Sequence, residues 1–420
     1  MNQKIGIARL SGLMIGPILG SGIILLPPIA AEKLGSGAIW AWLIIMALGA
    51  FFAIIFARLS VLHPGEGGMT IAIEKGLGRR YKLFASLSMI AAVSFGPTAV
   101  LLTATDYLSN LSIFHWLSSH MMATLLVLVA FVVLLNDLKF ISTISFVLSS
   151  IVASILILCC LITIFGHFNQ AITISPIASM DLTVLGRVVF LLFWAIIGWE
   201  VIGNYSNQVK NINKTIPAAT GISLVVVTVT YLLVSLALSA LSKSDQPSIT
   251  AILASVFGQW APMILALLVT GLCLSTYLLI VGALARLLAS LSEEGYMPKP
   301  LKKRNKKEVP ILSVLYFTSM HVLVLYLNAR NLINLEFILS IANCFFLSNA
   351  LIGLIASIFI IDDRLLRICG GALSVCFLVL LLFSGGIPLC SLVIIFLLSR
   401  WMESRSTTSI ISLHNRRSNE

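Results

Sequence analysis

Residues 16–22 read Gly16-Pro17-Ile18-Leu19-Gly20-Ser21-Gly22, in the middle of an apolar stretch that runs from 7 to 31. Proline removes a backbone donor, and each glycine weakens a helix by roughly 1 kcal/mol relative to alanine. In lipid, unpaired backbone groups are costly, so unwound chain persists only where protein or a polar cavity supplies partners. A simple anchor has no use for such a break, and a signal peptide would show a compact apolar core before a small-residue cleavage site. The stretch therefore predicts a membrane helix interrupted near its centre, with the interruption facing something polar.

The rest of the chain supplies the bilayer. Apolar residues make up 59% of 420 positions, charged residues 10%, and the mean hydropathy is +1.05. Length alone would suggest two or three soluble domains. A soluble domain, however, carries about 25% charged residues, so composition excludes a water-facing surface, disorder and a nucleic-acid-binding domain. Spans need ~20 mostly apolar residues. Twelve stretches qualify, at 7–31, 38–62, 82–108, 119–136, 140–166, 185–209, 216–241, 259–291, 310–328, 332–361, 365–384 and 386–402.

The net charge of +11 is read from where the charges lie. Six basic residues, Lys299, Lys302, Lys303, Arg304, Lys306 and Lys307, fill one loop. Twelve spans leave Lys33, Arg187, Lys243 and Arg330 on one side and the remaining Lys and Arg residues on the other. That bias places both termini in the cytoplasm and the loops against anionic lipid. The seven cysteines lie in or beside apolar segments without ligand spacing, and the six histidines are scattered. Neither metal nor cofactor is expected, and a membrane-embedded enzyme would need partners clustered at one depth. A P-loop is absent, which argues against an ATP-driven pump. A channel or sensor is the remaining alternative class.

A second interruption lies in the sixth span, Trp194-Ala195-Ile196-Ile197-Gly198-Trp199-Glu200, with Gly203 just after. Glu200 is the one acid well inside a predicted span, where a carboxyl is expensive and a functional role is the default hypothesis. Spans one and six correspond if two five-helix halves are related by an inverted repeat, and paired broken helices point to a midplane substrate site. Amides at Gly20-Ser21-Gly22 suit a carboxylate, because a half-helix N-terminus is electropositive. Carbonyls near Ile197 and Gly198 suit an ammonium group. An α-amino acid carries both charges on one carbon. The plainer alternatives are close helix packing through Gly12, Gly16 and Gly20, tryptophans that only pack, and a Glu200 that only braces its neighbours.

These residues resemble the amino acid–polyamine–organocation (APC) transporters. Gly20-Ser21-Gly22-Ile23 followed by Leu26-Pro27 resembles the family's first-helix signature. His63-Pro64-Gly65-Glu66-Gly67-Gly68 is similar to the start of its first cytoplasmic loop, and Trp194 to Glu200 to its sixth helix. Lys210-Asn211 with Pro217-Ala218, and Arg286 with Glu294-Gly295-Tyr296-Met297-Pro298, match in order further along. The resemblance implies an all-α integral membrane protein of 12 transmembrane helices. In it a five-plus-five inverted repeat with broken helices 1 and 6 forms a transporter core at 1–361, followed by helices 11 and 12 at 362–402 and a cytoplasmic tail at 403–420.

The resemblance also implies roles. Ile18, Gly20, Ser21, Gly22, Val93, Pro97, Trp194, Ile197 and Gly198 would bind substrate. Trp194 falls where arginine/agmatine antiporters place a gating aromatic, and Glu200 where they place a proton-sensitive acid. Departures are informative: Pro97 stands where those antiporters have an asparagine, no lysine lies deep in the fifth span, and Lys210 to Lys214 lacks the usual Pro-x-Arg. Phe95-Gly96-Pro97-Thr98-Ala99 is closer to bacterial exporters of methionine and branched-chain amino acids. The expected function is secondary transport of neutral apolar L-amino acids in a bacterial inner membrane, coupled to protons or by exchange. The alternative is a cationic amino acid or polyamine antiporter. Expected partners are the amino acid, protons, the bilayer and a second copy of the chain.

Overall fold

A computed structural model describes residues 4–20, 22–111, 116–166, 175–241, 248–382 and 386–417, without the side chains of 179, 382 and 405–417. Ser21 lies outside the described residues. The first expected span is realised as two helices, α1 (Ile7–Leu19) and α2 (Gly22–Leu34). There follow α3 (Ala38–Leu62), a short α4 (Met69–Leu77), α5 (Arg79–Ser109), α6 (Ser119–Leu134) and α7 (Leu138–Gly166). The sixth span begins as α8 (Leu182–Leu192), tightens to 3-10 geometry at Phe193–Ile196, breaks, and resumes as a 3-10 helix over Trp199–Gln208. The remainder comprises α9 (Ile212–Leu241), α10 (Ile249–Phe257), α11 (Ala261–Glu293), α12 (Ile311–Ala329), α13 (Leu335–Ile360), α14 (Arg364–Leu382) and α15 (Gly386–Arg417). The described residues contain isolated bridges but no strand.

Among the described residues, ten helical runs are long and apolar enough to cross a membrane, with Ile7–Leu19 and Ser119–Leu134 as shorter apolar helices. The difference of two from the twelve expected spans lies in the fourth, realised as the 16-residue α6, and in the first. The first span is broken, and its second half continues through a 3-10 turn at Gly35–Gly37 into α3 as one run, Gly22–Leu62. At the other end α15 passes the expected limit at 402, because no glycine or proline follows Pro388 to stop it.

Burial decides what positions the site. Helix α1 packs against α7, α9 and α11, and α5 lies between α11 and α13. Peripheral faces are apolar and open, as at Val225 (63% exposed) and Val375 (64%), which is what a lipid-facing surface requires. Entry to the sixth span is set by Asp181, whose carboxylate accepts the N–H groups of Thr183 (2.7 Å) and Val184 (3.4 Å). Those bonds hold its pKa below the ordinary carboxylate value.

Pro97 lies inside α5 and has no N–H to give to the carbonyl of Val93, four residues back. His321 of α12 supplies the missing donor, its Nε2 lying 2.7 Å from that carbonyl oxygen. A carbonyl only accepts, so Nε2 carries the proton and Nδ1 accepts from the Tyr277 hydroxyl at 2.8 Å. His321→Phe leaves both groups unpaired at about 1–3 kcal/mol each, and a clear loss of thermal stability in detergent is the expected result. Adding Pro97→Ala returns an amide to Val93 and should recover part of that loss. Equal melting of single and double variants would show that the proline and histidine are not coupled.

Candidate functional site

The two interruptions meet. Gly198 adopts φ +122°, a conformation that side chains rarely take, and a Cβ there would lie 3.8 Å from Ile18 and 3.9 Å from Pro17. Ile197, just before it, is extended, so the helical hydrogen-bond ladder stops at this point. On the other side Gly20 has φ +34°, and a Cβ there would fall 2.6 Å from the Pro17 carbonyl oxygen and 3.1 Å from Thr276 Oγ1. The Gly20 amide bonds the Gly16 carbonyl at 2.7 Å, which closes α1. Tyr231 holds this turn from α9: its hydroxyl donates to the Ile18 carbonyl at 3.0 Å, while its ring stacks on Trp42. A Cβ on Gly22 would come within 2.8 Å of that hydroxyl and 3.7 Å of Trp194.

Beside the paired breaks lies a narrow cavity of about 30 Å³. Pro97, Trp194 and Ile197, three of the residues expected to bind substrate, are on its wall beside Pro17 and Gly96. Val100, Thr276, Ile280 and Phe346 also line it and were not anticipated. Val93 and Ile18 are buried beside it and act through their carbonyls, to His321 and Tyr231, rather than as lining residues. A signal for Thr276 was present in the sequence: Ser275-Thr276-Tyr277 puts three consecutive hydroxyls in the middle of a mainly apolar span. Nothing comparable marks Phe346 or Ile280, apolar residues among many.

Trp194 lines a second cavity as well, of about 190 Å³, shared with Phe190, Ser340 and Asn343. The indole thus stands between the small cavity and the larger one, and the Asn343 Oδ1 is buried without a partner among the described residues. A separate set of bonds ties the start of the chain and the His63–Gly68 motif to the end of the sixth span. Ile5 exchanges backbone bonds with Gln208 and Lys210, both 2.9 Å, at the end of the sixth span. The His63–Gly68 motif docks on the same segment, with Asn204 Nδ2 donating to the Glu66 carbonyl at 2.7 Å and the Gly65 amide to Ser206 Oγ at 2.8 Å. Arg304 grips the Glu66 carboxylate with both terminal nitrogens, at 2.6 and 3.0 Å, and reaches Glu293 at 3.1 Å. Burial works against the Arg304 charge, but the two carboxylates outweigh it and hold its pKa above the ordinary value. Lys82 joins Glu74 and Glu294 nearby, both at 2.7 Å.

Glu200 is buried at 2% exposure, and its Oε2 accepts the Gly198 amide at 3.0 Å. It faces no cation within ion-pair distance among the described residues. It does not line the small cavity. Its contact is with the backbone that forms the break.

A model of the amino acid permease family matches residues 5–407. The chain belongs to that family. It is a multi-pass membrane protein of the APC superfamily, whose members move small organic solutes rather than transform them. The permease is similar to the L-methionine/branched-chain amino acid exporter YjeH of Escherichia coli, 25% identical over 234 residues, 55% of either chain, so that match spans about half the exporter's length. It is 26% identical to the cadaverine/lysine antiporter of Escherichia coli over 351 residues, 78% of this chain and 76% of that one. It is 24% identical to the putrescine transporter PotE of Haemophilus influenzae over 349 residues, 80% and 79% of the two chains.

Proposed function

We propose that this permease is a secondary active transporter of neutral apolar L-amino acids such as methionine, leucine, isoleucine and valine, working by exchange or with protons. The observation that carries this reading is the lining of the small cavity. Pro97, Val100, Ile197, Ile280 and Phe346 are apolar, Thr276 adds one hydroxyl, and no carboxylate is among the described lining residues. A diamine or lysine would bring a second ammonium group with no counter-charge, and burying an unpaired charge costs several kcal/mol. With the Gly20 amide bonded to Gly16, the α-carboxylate would meet the amides of Ser21 and Gly22, and the α-ammonium the carbonyls around Ile197 and Gly198. Trp194 would act as the gate above the bound substrate.

In this reading the architecture is twelve spans with both termini cytoplasmic, a five-plus-five repeat over 1–361, helices 11 and 12 at 362–402 and a tail at 403–420. The paired breaks support the repeat, and the basic loops support the orientation. A second copy of the chain remains a candidate partner. The cationic amino acid or polyamine antiporter is the second reading, favoured by the greater length of chain matched in the cadaverine and putrescine relatives.

Counterflow in proteoliposomes decides between them. Liposomes preloaded with leucine or methionine should accumulate the labelled amino acid transiently above equilibrium. Lysine, cadaverine and putrescine should not compete. Strong competition by the diamines would transfer the assignment to the antiporter, and leucine flux without counterflow would indicate a channel.

A further inference from the structure

A third cavity lies away from the paired breaks, on the periphery where α3, α9 and α14 meet. It measures about 330 Å³, and no step of substrate binding uses it. Its lining changes character along its length. At one end are Arg58, near the end of α3, and Asn213, in the first turn of α9. At the other are Ile54 and Leu224, with Leu366 of α14 closing the side. From Asn213 to Leu224 the helix rises about 16 Å at 1.5 Å per residue, so the groove runs from a helix end well into the apolar layer.

Surrounding exposure says what this groove faces. Ile54 is 42% exposed, and the neighbouring Val225, Leu365 and Ile368 are each more than 60% exposed. Such residues on a membrane protein face hydrocarbon. Within the groove, however, polar groups have been left without partners. Thr220 is 3% exposed, yet its Oγ1 has no hydrogen-bond partner among the described residues. Pro217, which also lines the groove, has no N–H to return to the Asn213 carbonyl. Arg58 pairs with no carboxylate among the described residues. Gly221 contributes a bare stretch of backbone, since a Cβ there would meet nothing within 4 Å.

A cation at the interfacial end, an unpaired hydroxyl below it and an apolar trough beyond match one kind of molecule in sequence. We infer that this groove is a binding site for an anionic phospholipid of the leaflet next to the basic loops. Its phosphate sits at Arg58, its glycerol-ester region at Thr220, and one acyl chain lies along Ile54 and Leu224 over Gly221. The lipid staples α3, α9 and α14 together at the periphery of the bundle. The inference does not depend on which amino acid the permease carries.

The test uses purified, delipidated permease with added phosphatidylglycerol or phosphatidylcholine, read by thermal stability and by lipid retention in native mass spectrometry. Wild type should retain one phosphatidylglycerol and be stabilised by it, and phosphatidylcholine should do markedly less. Arg58→Gln should weaken phosphatidylglycerol binding about fivefold, the worth of one basic residue at an anionic surface. Gly221→Phe, placed where there is open space, should fill the trough and abolish retention of either lipid while the delipidated protein melts as the wild type does. Inorganic phosphate should not replace the lipid. Equal stabilisation by the two lipids, or unchanged retention in Gly221→Phe, would overturn the site.

Discussion

Gly20→Ala is expected to abolish substrate exchange while the permease still reaches the membrane. At φ +34° the new methyl group would lie 2.6 Å from a backbone oxygen of the same turn, and neither atom is free to swing away. The turn must reopen, which displaces the amides that would face the substrate carboxylate. Hydrogen bonds to charged groups contribute about 1.5–3 kcal/mol each, so losing two corresponds to an affinity loss on the order of a hundredfold or more. Gly186→Ala is the matching control, because a Cβ there meets nothing within 4 Å. Binding by thermal shift and exchange in liposomes measure the effect. Gly20→Ala protein that exchanges leucine at the wild-type rate would remove the carboxylate site from this turn.

The second large effect is expected at Glu200. Its carboxylate accepts the amide of Gly198, the residue that turns the chain between the two halves of the sixth span. Glu200→Leu leaves that buried amide without a partner, at a cost of about 1–3 kcal/mol, and removes what steadies the positive φ. Exchange should be lost and melting lowered. Glu200→Gln keeps an acceptor oxygen in place and should keep exchange. If Glu200 also carries the coupling proton, the Gln variant mimics the protonated form, and its exchange should lose whatever pH dependence the wild type shows. Parallel pH profiles for wild type and Glu200→Gln would leave the residue as a brace alone. A Gln variant as inactive as the Leu variant would show that hydrogen-bond acceptance is not what Glu200 supplies.

Legibility differed between kinds of residue. The breaks were readable because proline and glycine act on the backbone itself, whatever surrounds them. Gly20 and Gly198 stand where their helices break, whereas Pro17 lies inside α1, in its last turn. Pro97, Trp194 and Ile197 were likewise found on the cavity wall. Val93 illustrates the limit. It was expected at the site from its position alone, but its side chain is wholly buried and its carbonyl serves His321. That histidine lies 228 residues further along the chain, and no local pattern announces the pair.

Composition and loop charge determined the membrane class, because apolar area on this scale has no other solvent. Local backbone chemistry determined where two helices break, since a missing amide or a missing Cβ acts within one turn. Only the tertiary structure decided which residues face each break. Tyr231 reaches the Ile18 carbonyl across 213 positions, Thr276 lies against Gly20, and Phe346 closes the cavity wall. An apolar residue in a membrane protein reads the same whether it faces lipid, a neighbouring helix or a substrate. The distinction exists only once the helices are packed, which is why the breaks could be read from the sequence and the pocket between them could not.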